Sequence, residues 1–214
     1  MHKFFIKTPW WVRGIFSSYV WHVPTSEKVV YLSFDDGPHP TITPWLLNQL
    51  SLFNAKATFF CIGDNVEKHN EIYKQTIDEG HAIGNHTYHH LNGWKTNTKE
   101  YLEDVSKASA VIHTNLFRPP YGRVTTKQAK GLATAMKRPD VKLIMWDVLS
   151  ADFDRSLSPQ QCAANVLRHK RPGSIIVFHD SEKAFSNLEY ALPLVLKTLQ
   201  EEGYRFDKIV MDGL

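Results

Sequence analysis

Cysteine is scarce. Cys61 and Cys162 lie far apart and in no metal-type spacing, which argues against a disulfide framework. Cys61 directly follows Ala57-Thr58-Phe59-Phe60 and reads as a small buried apolar residue. Charge of one sign is also lacking: 25 Lys+Arg against 22 Asp+Glu leave +3, no electrostatic footprint for nucleic acid. No apolar run reaches the length of a transmembrane helix. Met1 to Val23 carries Lys3, Lys7 and Arg13 among Phe4, Phe5, Ile6, Trp10, Trp11 and Val12. It has neither the uninterrupted apolar stretch nor the small-residue cleavage site of a signal peptide. Residues 1–24 are therefore expected to be an extension packed on a domain of residues 25–214, with a membrane-surface segment as the alternative. A cytoplasmic or membrane-peripheral location follows as an expectation. There is no internal repeat, no low-complexity linker, and no glycine-rich phosphate loop after the first strand.

What is present is an ordinary globular composition, 43% hydrophobic and 22% charged over 214 residues. Val29 to Phe34 is a strand-like run rich in β-branched and aromatic residues, and Asp35-Asp36-Gly37-Pro38 ends it in a turn. Helical spacing follows Thr43-Pro44 through Trp45, Leu46, Leu47, Leu50 and Phe53. Strands are expected at Ala57–Phe60, His81–Gly84, Leu116–Phe117, Val141–Trp146, Ser174–Phe178 and Tyr204–Phe206. Helices are expected at Glu71–Glu79, Thr98–His113, Thr125–Met136, Ser158–Arg168 and Pro193–Glu202, the last with a start that could lie several residues earlier. This alternation predicts a parallel α/β sheet, best fitted by a distorted (β/α) barrel with a missing or irregular unit. An open doubly wound sheet is the second choice.

In such folds reactive side chains gather at the C-terminal ends of strands. Here those ends carry Asp35-Asp36, Asn85-His86, Arg118, Asp147 and His179-Asp180. Two adjacent carboxylates repel each other and call for a positive partner. His86 and His90, four apart, suit one helical turn or a tight loop that turns both rings to one ion, with His89 facing elsewhere. Two His and one Asp with open positions would let a divalent metal activate water. The same ligand set serves non-haem iron oxygenases, but those sit on jelly rolls rather than on alternating strands and helices. A second carboxylate beside the ligand is also what a hydrolase needs as base.

Ser33-Phe34-Asp35-Asp36-Gly37-Pro38, His86-Thr87-Tyr88-His89-His90 and Arg118-Pro119-Pro120-Tyr121-Gly122 resemble the first three motifs of the polysaccharide deacetylases, the NodB-homology carbohydrate esterases. Order and separations agree, from about Val29 to the C-terminus. The resemblance implies a distorted (β/α) barrel that removes N- or O-acetyl groups from sugars. It further implies Asp36, His86 and His90 as metal ligands, Asp35 as base and His179 as acid. Arg118 would pair with Asp35, Asp152 would orient His179, and Tyr121 would offer its backbone N–H to the oxyanion. The metal is expected to be Zn²⁺, with Co²⁺, Ni²⁺, Mn²⁺ or Fe²⁺ as alternatives.

The later motifs depart from the family pattern. Asp152-Phe153 stands where the family has Asp-Trp, Leu149 where a further Asp is frequent, and Val177-Phe178-His179 where it has Leu-x-His. Phe153 and Val177, with Pro119 and Trp146, are expected to contact substrate, an acetylated glycan or amino sugar. A sugar-binding barrel without activity and an amidohydrolase of small amides are the competing readings.

Overall fold

The computed structural model describes residues 4–211. In chain order its elements are α1 (Trp10–Ile15), β1 (Val29–Asp35), α2 (Ile42–Leu52), β2 (Ala57–Cys61), α3 (Gly63–Lys68), α4 (Asn70–Asp78), β3 (Ala82–Asn85), α5 (Thr98–Ser109) and β4 (Leu116–Phe117). A 3₁₀ turn at Pro120–Gly122 leads to α6 (Thr126–Ala135), β5 (Lys142–Leu143), β6 (Val148–Leu149), α7 (Pro159–His169), β7 (Ile175–His179), α8 (Glu182–Glu201) and β8 (Arg205–Phe206).

The strands pair in parallel in the order β5-β4-β3-β2-β1-β7-β6, with β8 on the side of β1. This is the distorted barrel expected from the alternation of elements. Period-two alternation sorts each strand. On β1, Val30, Leu32 and Phe34 join the core beneath the helices, where Phe34 lies 5.2 Å from Phe59 and 6.1 Å from Phe178. Ser33 and Asp35 occupy the other row. Both cysteines are buried and free, and burial raises the Cys61 thiol well above its usual range.

The irregular unit lies between β5 and β6, the two ends of the sheet. Residues 4–23 fill that seam. Val20 N–H donates to Leu143 O and Val20 O accepts from Met145 N–H, while Thr8 N–H donates to Asp147 O and Ile6 O accepts from Leu149 N–H. The exposed edges thus find backbone partners in the preceding segment.

Three expectations need correction. Val141–Trp146 is not one strand, because the chain breaks after Leu143 and resumes pairing at Val148. Asp147 consequently comes directly before β6 instead of ending β5, and lies at the opposite end of the barrel from the other polar residues. There it is fully buried, bonded to Lys7 Nζ (2.6 Å), Ser174 Oγ (2.7 Å) and Arg171 Nε (3.1 Å), and it pins the N-terminal segment. The last helix begins at Glu182, since its apolar row Ala184, Leu188, Ala191, Leu192, Val195, Leu196 and Leu199 runs straight through Pro193. Packing of that row outweighs the hydrogen bond that Pro193 cannot donate. Finally, α3 has no sequence counterpart above, having neither a side-chain cap nor an apolar stripe.

Candidate active site

The C-terminal strand ends bring the polar residues together. Asp35 ends β1, His86 follows β3, Arg118 follows β4 and His179 ends β7. Asp35 and Asp36 share a turn but face different partners. Arg118 is fully buried, and its Nη1 donates to Asp35 Oδ1 (2.6 Å) and Ser33 Oγ (2.8 Å). Its Nη2 and Nε reach the carbonyls of Met145 (3.0 Å) and Ile144 (3.3 Å), left open where β5 stops, and the guanidinium stacks 3.9 Å from the Phe60 ring. A buried cation survives because its donors are met, and it holds Asp35 as its counter-ion.

Asp36 turns the other way. Its Oδ1 lies 3.2 Å from His90 Nε2 and 3.8 Å from His86 Nε2, and the three residues' donor atoms all lie within 4.8 Å of one another. His86 Nδ1 bonds Arg118 O at 2.8 Å, so Nδ1 carries the proton and Nε2 keeps its lone pair toward Asp36. Burial lowers His86 to about 4, only partly offset by Asp35, so the ring stays neutral as a ligand must. Burial alone would raise Asp36, but the bond to His90 and the neighbouring imidazoles outweigh it and hold the carboxyl well below its usual range. Converging imidazole nitrogens, one ionised carboxylate and a fixed tautomer fit a divalent metal. The expected ligands Asp36, His86 and His90 are those that converge.

The supports for this arrangement were missed in the sequence. Asp104 on α5 accepts the N–H groups of Tyr88 and His89 and bonds His89 Nδ1 at 2.5 Å, which turns His89 away and fixes the loop between the ligands. Asn65 Nδ2 donates to Asp36 O at 2.7 Å. Asp180, fully buried, accepts Gly37 N–H (2.9 Å) and Thr43 Oγ1–H (2.6 Å). Burial, with the charge of Asp36, raises it to about 7. A Cβ at residue 37 would lie 2.0 Å from Asp180 Oδ2, so only glycine fits that turn. Asp36 (φ 86°), Thr87 (64°), His90 (57°), Tyr121 (60°) and Ala151 (61°) all hold left-handed backbone around this centre. Each costs roughly 1–2 kcal/mol, sustained by the packing beneath.

On the far side, His179 Nδ1 bonds Asp152 Oδ1 at 2.8 Å and its own N–H donates to Asp152 Oδ2 at 2.8 Å. Ser150 Oγ and the Asn187 amide lock Asp152, which is fully buried. Burial would lower His179, but the charge and hydrogen bond of Asp152, with Asp36 and Asp35, raise it to about 9. The ring therefore stays protonated through neutral pH. Replacing Asp152 by Asn removes the largest raising influence, so protonation should be lost at lower pH. The basic limb of activity should shift down by a unit or more (about 1.4 kcal/mol each) while metal content is unchanged. A pH–rate series with metal analysis checks this; an unmoved limb would contradict the pairing.

The expected substrate residues are unequal. Phe153 lies 5.0 Å from the His179 ring, and Val177 is buried beneath with Leu149 and Ala151. Trp146 is half-buried under the Tyr121–Gly122 turn, and Pro119 is buried, its carbonyl accepting Gly122 N–H. Tyr121 stands 61% exposed with its ring 4.6 Å from His90. Phe4 packs edge-on at 5.4 Å against Phe153, so the N-terminal segment reaches this side of the site. No sequence signal pointed to Phe4.

The polysaccharide deacetylase family model matches residues 22–138. Two peptidoglycan-N-acetylglucosamine deacetylases of Bacillus cereus are 35% and 33% identical over 88% and 87% of this chain, covering 70% and 88% of their own lengths. A crystal structure of a peptidoglycan N-acetylglucosamine deacetylase bound to a naphthalenyl N-oxidanyl-benzamide superposes with TM-score 0.82 at 32% identity, covering 94% of this chain and 95% of that one.

Proposed function

Because the chain belongs to the polysaccharide deacetylase family, and is on that ground a glycan deacetylase, we propose that it removes N-acetyl groups from N-acetylglucosamine of peptidoglycan. The observation that carries the reading is the placement of two differently partnered carboxylates, Asp35 on Arg118 and Asp36 on two histidines, within one turn of chain.

The family is metal-dependent, and Asp36, His86 and His90 would hold the ion. A divalent ion there, Zn²⁺ by its donor set with Co²⁺, Ni²⁺, Mn²⁺ or Fe²⁺ as alternatives, supplies a water of lowered pKa and a Lewis acid for the acetyl carbonyl. Asp35, ion-paired with Arg118, takes the proton of the attacking water. The Tyr121 backbone N–H, by family resemblance, donates to the oxyanion. His179, protonated at neutral pH, delivers its proton to the departing nitrogen, so acetate leaves with a free amine on the sugar. Phe153, Val177 and Phe4 surround the acetyl methyl with apolar surface and exclude bulk water.

Acetate release from peptidoglycan strands, N-acetylglucosamine oligomers, acetylated xylan and small acetamides tests the assignment. The two N-acetylated glycans should react and peptidoglycan should have the highest kcat/KM. Preference for xylan would assign O-deacetylation, preference for the small amides an amidohydrolase, and no acetate from any of them a binding module.

A further inference from the structure

The segment that seals the barrel also presents an apolar face that the chemistry above does not use. No residue of α1 is buried. Trp10 is 79% and Ile15 68% exposed, and Phe5, Trp11 and Phe16 are exposed beside them. Phe5 and Trp11 pack edge-on at 6.3 Å, and Phe16 stacks 5.5 Å from Tyr19. It is also held in place, by the backbone bonds of Thr8 and Val20 and by Lys7 and Arg13 on the buried Asp147.

The border of the patch is cationic. Lys7, Arg13 and Arg171 converge on Asp147, three cations against one carboxylate, which leaves two positive charges in excess. Exposed Arg168 and His169 adjoin them, since Lys7 Nζ donates to His169 O. The first acidic residue in the chain is Glu27, and it is already paired with Arg205. An aromatic face rich in tryptophan, bordered by cations and without anions of its own, has the chemistry that suits the interface of an anionic bilayer. A second copy fits less well, because a twofold contact would set the same cations against each other.

We propose that Phe5, Trp10, Trp11, Ile15 and Phe16, with the Lys7–Arg13–Arg171 cluster, dock the protein on an anionic lipid surface. The proposal is independent of the deacetylase reading, since none of these residues touches the metal-ligand or proton-transfer groups.

The test is cosedimentation of the full chain with vesicles of phosphatidylcholine alone and of phosphatidylcholine mixed with phosphatidylglycerol. Binding should require the anionic lipid, weaken with salt, and quench tryptophan fluorescence when the lipids are brominated. Trp10→Ser/Trp11→Ser should bind at least about tenfold more weakly while acetate release from a soluble N-acetylglucosamine oligomer is unchanged. Absence of sedimentation, or equal sedimentation of the variant, would overturn the proposal. So would a concentration-dependent dimer that the variant loses in place of vesicle binding, which would assign the face to a second copy.

Discussion

Asp35→Asn should reduce kcat by roughly 10²–10⁴-fold with metal stoichiometry near that of the unaltered protein. The amide keeps the shape of the carboxylate and can still accept from Arg118 Nη1, now 2.6 Å from Oδ1, but it cannot take a proton from water. Asp36, His86 and His90 lie on the other side of the turn and keep their geometry. Asp36→Asn should do the reverse and weaken metal binding first. Turnover measured at saturating metal, beside metal content after dialysis, separates the two carboxylates. An Asp35→Asn enzyme with full turnover would remove Asp35 from the chemistry.

The largest stability effect should come from Arg118→Met. It deletes a guanidinium buried among Asp35, Ser33 and two carbonyls, and it strands the Asp35 charge without its cation. Breaking a buried pair from one side costs about 3–5 kcal/mol. For a chain of this size that lowers Tm by roughly 10 °C. Adding Asp35→Asn to Arg118→Met should recover part of the loss, because the stranded charge is then gone. Calorimetry of both single variants and the double variant measures the coupling, and purely additive losses would contradict it.

The sequence made the site more legible than the barrel's closure. Strand ends were readable because apolar runs stop abruptly on charged residues, as Phe34 does on Asp35 and Phe178 on His179. Those charges need partners, so their convergence could be anticipated. Asp147 misled for the same reason. It also follows an apolar run, but the run breaks before it and the residue answers Lys7 and Arg171 at the other end of the sheet. A break this short, residues 144–147 between two-residue strands, carries no periodicity to detect.

Asp104 and Asp180 were not legible as supports, since each meets its partners only through tertiary folding across fifteen or more positions. The N-terminal segment shows the limit most plainly. Its aromatic residues suggested packing or a membrane face as competing readings, and in the structure some are buried and others exposed. Trp21 is buried and Phe4 packs on Phe153, while Trp10 and Trp11 face outward. Proline misled in α8 because local propensity at Pro193 is weaker than eight buried side chains pulling in one direction.

The central claim is that one divalent ion, held by Asp36, His86 and His90, is required for acetate release. Titrating Zn²⁺ into chelator-stripped protein, with acetate release from an N-acetylglucosamine oligomer as the readout, tests it directly. Activity should rise linearly and level at one ion per chain, and His86→Ala and His90→Ala should neither retain the ion nor regain activity. Undiminished activity in the stripped protein, or full reactivation of either histidine variant at one equivalent, would contradict the account.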